Sequence, residues 1–128
     1  MELTDQERQL LKSFIFKLVP DKEGNVVVTS AKDGHTLLSS NRETLEATQT
    51  CLLNPEIKPG RKVLRLYEQV AQLQITQLTS AILPEYDKRI REQPDQRGRL
   101  EGYVEAARQR LQVVTTLFNK VNRYLNKA

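Results

Sequence analysis

Cysteine occurs once, at position 51, tryptophan is absent, and aromatic residues make up only 5% of the 128. A single cysteine excludes an intramolecular disulfide, and together with the one histidine, His35, it cannot complete a structural Cys/His zinc site. No apolar run approaches the ~18 residues that read as a bilayer span, and neither a secretory leader nor a lipidation motif is recognisable. A cytoplasmic protein without membrane attachment is expected. Catalytic signatures are missing too. There is no H-E-x-x-H, no G-x-S-x-G and no Walker A loop, and the five glycines are scattered at 24, 34, 60, 98 and 102. The carboxylate pairs Glu85/Asp87 and Glu101/Glu105 have no partner set, and such pairs on helices ordinarily solvate a surface. The expectation is a protein that is not an enzyme and carries no cofactor or metal.

What the sequence does have is helical periodicity and an uneven charge. With 38% apolar and 28% charged residues, it suits a single helical domain over residues 1–128. The net charge of +4 divides into −3 over residues 1–57, with 6 Lys/Arg against 9 Asp/Glu, and +7 over residues 58–128, with 14 against 7. A basic half of this kind draws polyanions, nucleic acid first among them.

Thr4-Asp5-Gln6-Glu7 has capping-box spacing and predicts a helix start, after which Leu11, Phe14, Ile15 and Leu18 form an apolar stripe that ends at Pro20. Phe16 and Val19 lie off that stripe and point to a second contact. Val26-Val27-Val28-Thr29 and His35-Thr36-Leu37-Leu38 flank Asp33-Gly34, which predicts a short β-hairpin near residues 25 to 38 with a tight turn at the Asp-Gly pair. His35, at the turn exit, has no companion ligand and reads as a surface residue. Ser40-Asn41-Arg42-Glu43 repeats the capping-box spacing and opens a helix with Leu45, Thr48, Cys51 and Leu52 inward, ended by Asn54-Pro55. Nothing near Cys51 would lower its pKa, so it reads as a small buried hydrophobe.

After Pro59-Gly60, a helix from about Arg61 to Leu83 carries two apolar rows. These are Val63, Leu66, Val70 and Leu73, and beside them Leu64, Tyr67, Ala71, Ile75, Leu78 and Ile82. So wide an arc belongs at the centre of a bundle. Pro84 is expected to kink or restart the helix, with a short segment running to about Glu92 before Pro94. The last helix shows a seam at Leu100, Val104, Ala107, Leu111, Val114, Phe118, Val121 and Leu125, widened by Tyr103, Leu117 and Tyr124. The predicted fold is mainly α, a small helical bundle with a short hairpin.

The cations fall into three groups. Lys58, Arg61, Lys62 and Arg65 surround a helix start, where free backbone amides and the positive end of the helix dipole favour phosphate. Lys88, Arg89 and Arg91 are joined across Pro94 by Arg97 and Arg99. Arg108, Arg110, Lys120, Arg123 and Lys127 occupy a stretch from residue 106 onward that holds no acid. Arginines bind phosphate bidentately, whereas base reading needs amides or aromatics presented to a groove. Asn119, Asn122 and Tyr124 are the candidates for this near the third group. Backbone binding with little sequence preference is the expected mode, with single-stranded RNA or DNA as the partner.

In size, helix order and clustered surface charge, without a catalytic set, the chain resembles the small helical subunit of CRISPR effector complexes of the Cascade type. Forms related to the C-terminal helical part of a large subunit share these features. The hairpin at residues 25 to 38 departs from that purely helical pattern, and no site residue is carried over. The resemblance implies a ribonucleoprotein subunit in antiviral defence that lines a guide or target strand channel beside other subunits. The −3 and +7 halves would suit head-to-tail self-association. The competing expectation is a helical protein interaction module (adaptor, assembly chaperone or scaffold) without nucleic-acid binding.

Overall fold

The computed structural model describes residues 1–127. Helix α1 spans Asp5–Ile15, strands β1 and β2 span Asn25–Thr29 and Thr36–Asn41, and α2 spans Arg42–Leu53. Helix α3 spans Arg61–Gln77 and runs through a π-helical turn, Leu78–Ile82, into α4, Leu83–Glu92. A short 3-10 turn, Pro94–Gln96, then leads to α5, Arg97–Leu125. The mainly helical fold with one small hairpin is as the sequence reads. No helix among the described residues is long and apolar enough to cross a membrane.

The α3–α4 rod and α5 form one long antiparallel hairpin. Glu68 bonds Asn122, Leu78 clusters with Ala107 and Val114, and Tyr86 stacks on Tyr103, so contacts advance along one helix as they retreat along the other. At 1.5 Å per residue the 29-residue α5 is about 43 Å long. The other elements gather at one end of it. There Leu11 and Ile15 of α1, Val26 and Leu38 of the strands, and Leu45 and Leu52 of α2 join Leu64, Leu66, Tyr67 and Val70 of α3 and Leu117, Val121 and Leu125 of α5 in a single core. We call this end the base. The other end, beyond Leu78, is a two-helix arm in which no residue of α4 is buried.

Local chemistry fixes the joints of the base. The Thr4 box is complete, with the Glu7 amide donating to Thr4 Oγ1 at 3.1 Å and the Thr4 amide to Glu7 Oε1 at 2.8 Å. Strands β1 and β2 pair antiparallel, Asn25 with Asn41 and Val28 with Leu38, with an irregularity after Val28. Val26 and Leu38 face the core while Val27 faces solvent. Two strands alone are marginal, and these lean on α2 and α3. On β2 the Gln69 side chain answers a backbone pair, accepting from the Ser39 amide at 2.9 Å and donating to its carbonyl at 3.2 Å.

Four expectations are corrected. The Asp-Gly pair does not make a tight turn. Gly34, at φ +75°, sits in a wider loop closed by the Gly34 amide on the Ser30 carbonyl at 2.9 Å, and the Asp33 carboxylate accepts from His35 at 3.1 Å. Asn41, not Ser40, caps α2, taking the Thr44 amide at 2.8 Å. Strand and helix join without a spacer, so the cap falls on the last strand residue while Ser40 stays paired with Val26.

The third correction concerns Ile82. Pro84 has no N–H and its ring excludes the carbonyl four residues back, and the chain widens ahead of it, the Leu83 amide reaching the Leu78 carbonyl. The extra residue in that turn brings Leu83, Tyr86 and Ile90 to the half-buried side and leaves Ile82 36% exposed. The fourth concerns α5. Leu111 and Phe118 are half-buried, whereas Leu117 is 0% exposed. The buried face, Leu100, Val104 and Ala107 in the arm half and Val114, Leu117, Val121 and Leu125 in the base half, turns by roughly 60° along the helix at 100° per residue. Near the base, α5 must meet α1 as well as α3.

Candidate nucleic-acid interface

Antiparallel packing of α3 and α5 brings the beginning of one beside the end of the other. Lys58, Arg61, Lys62 and Arg65 therefore lie at the same end of the molecule as Arg123 and Lys127. A cavity of about 500 Å³ is lined by both Lys58 and Tyr124, and a second, of about 420 Å³, by Tyr124, Lys120, Arg123 and Lys127. Sequence separation hid this meeting of the first and third groups, because the two stand some sixty residues apart along the chain.

The α3 start is open. Gly60 offers no side-chain cap and the first turn holds no acid. Lys58, Arg61 and Lys62 are exposed and make no ion pair among the described residues, whereas Arg65 pairs with Glu68 at 3.6 Å. Four cations at the positive end of a helix dipole oppose the helix, and a bound phosphate would relieve that cost.

Lys120 behaves differently from its group. Its ammonium donates to Glu7 Oε1 at 2.6 Å and to the Glu2 carbonyl at 3.1 Å. Glu7 is 2% exposed, so Lys120 is committed to neutralising a buried carboxylate and ties α5 to α1. Sequence reading missed Glu7 in this role although a signal was there: Glu7 and Arg8 both sit in register with Leu11 and Ile15, where a simple stripe would be apolar. Part of the complementarity between the acidic and basic halves is thus used inside the chain.

Arg108 and Arg110 are exposed but stand two residues apart, so they leave α5 on different sides and share no site. Lys88, Arg89 and Arg91 lie on the arm. Over Leu83–Tyr103 the five cations Lys88, Arg89, Arg91, Arg97 and Arg99 are matched by Glu85, Asp87, Glu92, Asp95 and Glu101. Arg89 bonds Glu85 at 3.2 Å and Arg97 bonds Glu101 at 2.8 Å. The arm is neutral in sum, with two of its five cations held in ion pairs.

Of the two candidate asparagines, Asn119 is exposed and Asn122 is occupied. Asn122 donates to Glu68 at 3.1 Å and accepts from Asn126 at 2.9 Å. Burial pushes the Cys51 thiol pKa up, which keeps it protonated and unreactive. Among the described residues no group of three or more His, Cys, Asp or Glu is placed to hold a metal ion. Compared with family profiles, with curated proteins and with solved structures, the chain gives no match.

Proposed function

We propose that the chain is a non-enzymatic subunit that binds the phosphate backbone of single-stranded nucleic acid at the base end, where α3 begins and α5 finishes. The observation that carries this reading is that the uncapped start of α3, with Lys58, Arg61 and Lys62, and the finish of α5, with Arg123 and Lys127, lie at one end of the molecule, where Tyr124 lines a cavity with Lys58 and another with Arg123 and Lys127. Backbone amides and cations at one end suit phosphate, and the occupation of Asn122 by Glu68 and Asn126 removes one of the two asparagines that could read bases. Arg65 adds to this surface in competition with Glu68, and Arg108 and Arg110 contribute only field. The narrower form, a small subunit beside a guide or target strand in a CRISPR-type effector, predicts co-assembly with RNA and further protein subunits in a cytoplasmic ribonucleoprotein.

The test is fluorescence anisotropy with labelled single-stranded RNA and DNA across a salt series. Affinity should fall steeply with salt. Arg61→Glu with Lys62→Glu should abolish most binding with helix content intact, because acids favour a helix start. A single Arg123→Ala should flatten the log-affinity against log-salt slope by about one unit. Unchanged affinity and slope in the double reversal would sink the proposal. The alternative, a protein docking module, is favoured by Phe16 and Val19, which are exposed at 45% and 80% at the end of α1. Head-to-tail self-association of the acidic first half with the basic second half, with Phe16 and Val19 at the contact, would appear in light scattering as a mass that rises with concentration and falls with salt.

A further inference from the structure

Between the N-terminal segment, the α2–α3 loop and the α5 end lies the cavity of about 500 Å³, within the roughly 300–1,000 Å³ of small-molecule sites. Two hydrogen-bond donors on its wall are not fully used. Tyr67 is 1% exposed, yet its hydroxyl makes no hydrogen bond to any described residue, and no fully enclosed side-chain polar atom is left unsatisfied, so the hydroxyl reaches the cavity it lines. Arg8 is half-buried on the same wall. Its guanidinium donates once, to the Leu52 carbonyl at 3.2 Å, and has no carboxylate partner among the described residues. Burial and the neighbouring Cys51 push the Tyr67 pKa up to about 12, while the Arg8 charge pulls it down, so the two donors are electrostatically in touch. The carboxylates on the same wall, Glu2 and Glu56, bond neither group, so the Tyr67 hydroxyl and the free edge of the Arg8 guanidinium are open to an acceptor from outside.

We infer that this cavity binds a phosphate monoester on a small organic body, such as a mononucleotide, with the Arg8 guanidinium and the Tyr67 hydroxyl as donors and Lys58 at the mouth. A phosphate dianion matches the two cations and offers several acceptor oxygens to a forked donor and a hydroxyl. Glu2 and Glu56 also line the cavity and are exposed, so the wall's side-chain charges balance and the phosphate must seat against Arg8 and Tyr67, away from them, which an end group entering the cavity does and a strand passing through it does not. The ligand is therefore a free monoester or the terminal phosphate of a strand. Only the second source rests on the nucleic-acid reading above.

The test uses the full chain, nitrogen-15 labelled, titrated with AMP, with a 5′-phosphorylated oligothymidine and with its 5′-hydroxyl counterpart. The Arg8 Nε resonance should shift with AMP if the source is free, with the phosphorylated strand alone if the source is a strand end, and not with the hydroxyl strand. Tyr67→Phe keeps the ring in the core and should weaken the responding probe about five- to tenfold, and Arg8→Gln should do so at least tenfold. The inference is overturned if no phosphorylated probe moves Arg8 Nε at millimolar concentration in the unaltered chain, or if both variants bind as it does. Arg61→Glu with Lys62→Glu separates the two readings: AMP binding that survives while strand binding is lost shows the cavity acting independently of the surface.

Discussion

At the base, α3 packs Leu66, Tyr67 and Val70 among α1, α2, the strands and α5; past Leu78, the same rod meets α5 alone, through half-buried Leu83, Tyr86 and Ile90. The charges sort in the same way. The base collects cations with few partners, and the arm interleaves both signs with i, i+4 pairs. Where many elements converge, burial supplies the stability and leaves the rim charges available for a ligand. Where only two helices meet, the surface charges are taken up in supporting the helices themselves, at ~0.3–0.5 kcal/mol per pair.

The sharpest break of this contrast is Leu117→Ala, which should cost about 2–5 kcal/mol in a denaturant melt, since it empties a fully enclosed site among α3, α5 and α1. Leu111→Ala, half-buried, should cost clearly less; equal losses would place the buried face of α5 wrongly. Next comes alkaline pH. The folded Tyr67 pKa near 12 exceeds the ordinary value of 10, so folding favours the protonated form. That contribution is complete below pH 10 and is lost as pH rises towards 12, on the order of 2–3 kcal/mol, and Tyr67→Phe should remove this part of the pH dependence.

Lys120→Met should destabilise the domain by about 1–3 kcal/mol by stranding Glu7, while changing strand affinity less than Arg123→Ala does. The reverse ranking would return Lys120 to the binding face. The smallest effect belongs to the arm. Tyr103→Ala, which removes a stack with 5.9 Å between ring centres, should cost about 0.5–1.5 kcal/mol. Amides of α4 should exchange with solvent well before those of α3, and equal protection would dissolve the distinction between arm and base.

Helix identity, the hairpin and most core positions were legible because they follow from local periodicity and capping. The Thr4 box, the β-branched run at Val26–Val28 and the double row on α3 each state their structure within a few residues. What was not legible is non-local. The rotation of the α5 face depends on where α1 lands, and the commitment of Lys120 depends on a carboxylate more than a hundred residues away. The cationic groups could be named from sequence, but their value depends on neighbours. Lys58 and Arg123 gain from being brought to one end, whereas Arg89 is taken up by Glu85 on its own helix. Arg8 and Tyr67 carried no motif at all, since an unpartnered hydroxyl exists only once a fold surrounds it.

The wide turn at Leu78–Ile82 makes the arm an insertion-tolerant extension. A regular α-helix has no place for the additional residue there, so removing one of Thr79, Ser80 or Ala81 together with a Pro84→Ala change, which lifts the ring's clash with the carbonyl four residues back, would return Leu83 to the i+4 position from Leu78 and keep Tyr86 facing Tyr103. Adding a residue to a regular stretch such as Val63–Val70 would instead throw every later apolar side chain out of phase by about 100°. Length change is therefore absorbed at one site in the rod. The loss of one residue there leaves the core that holds the basic end together in phase.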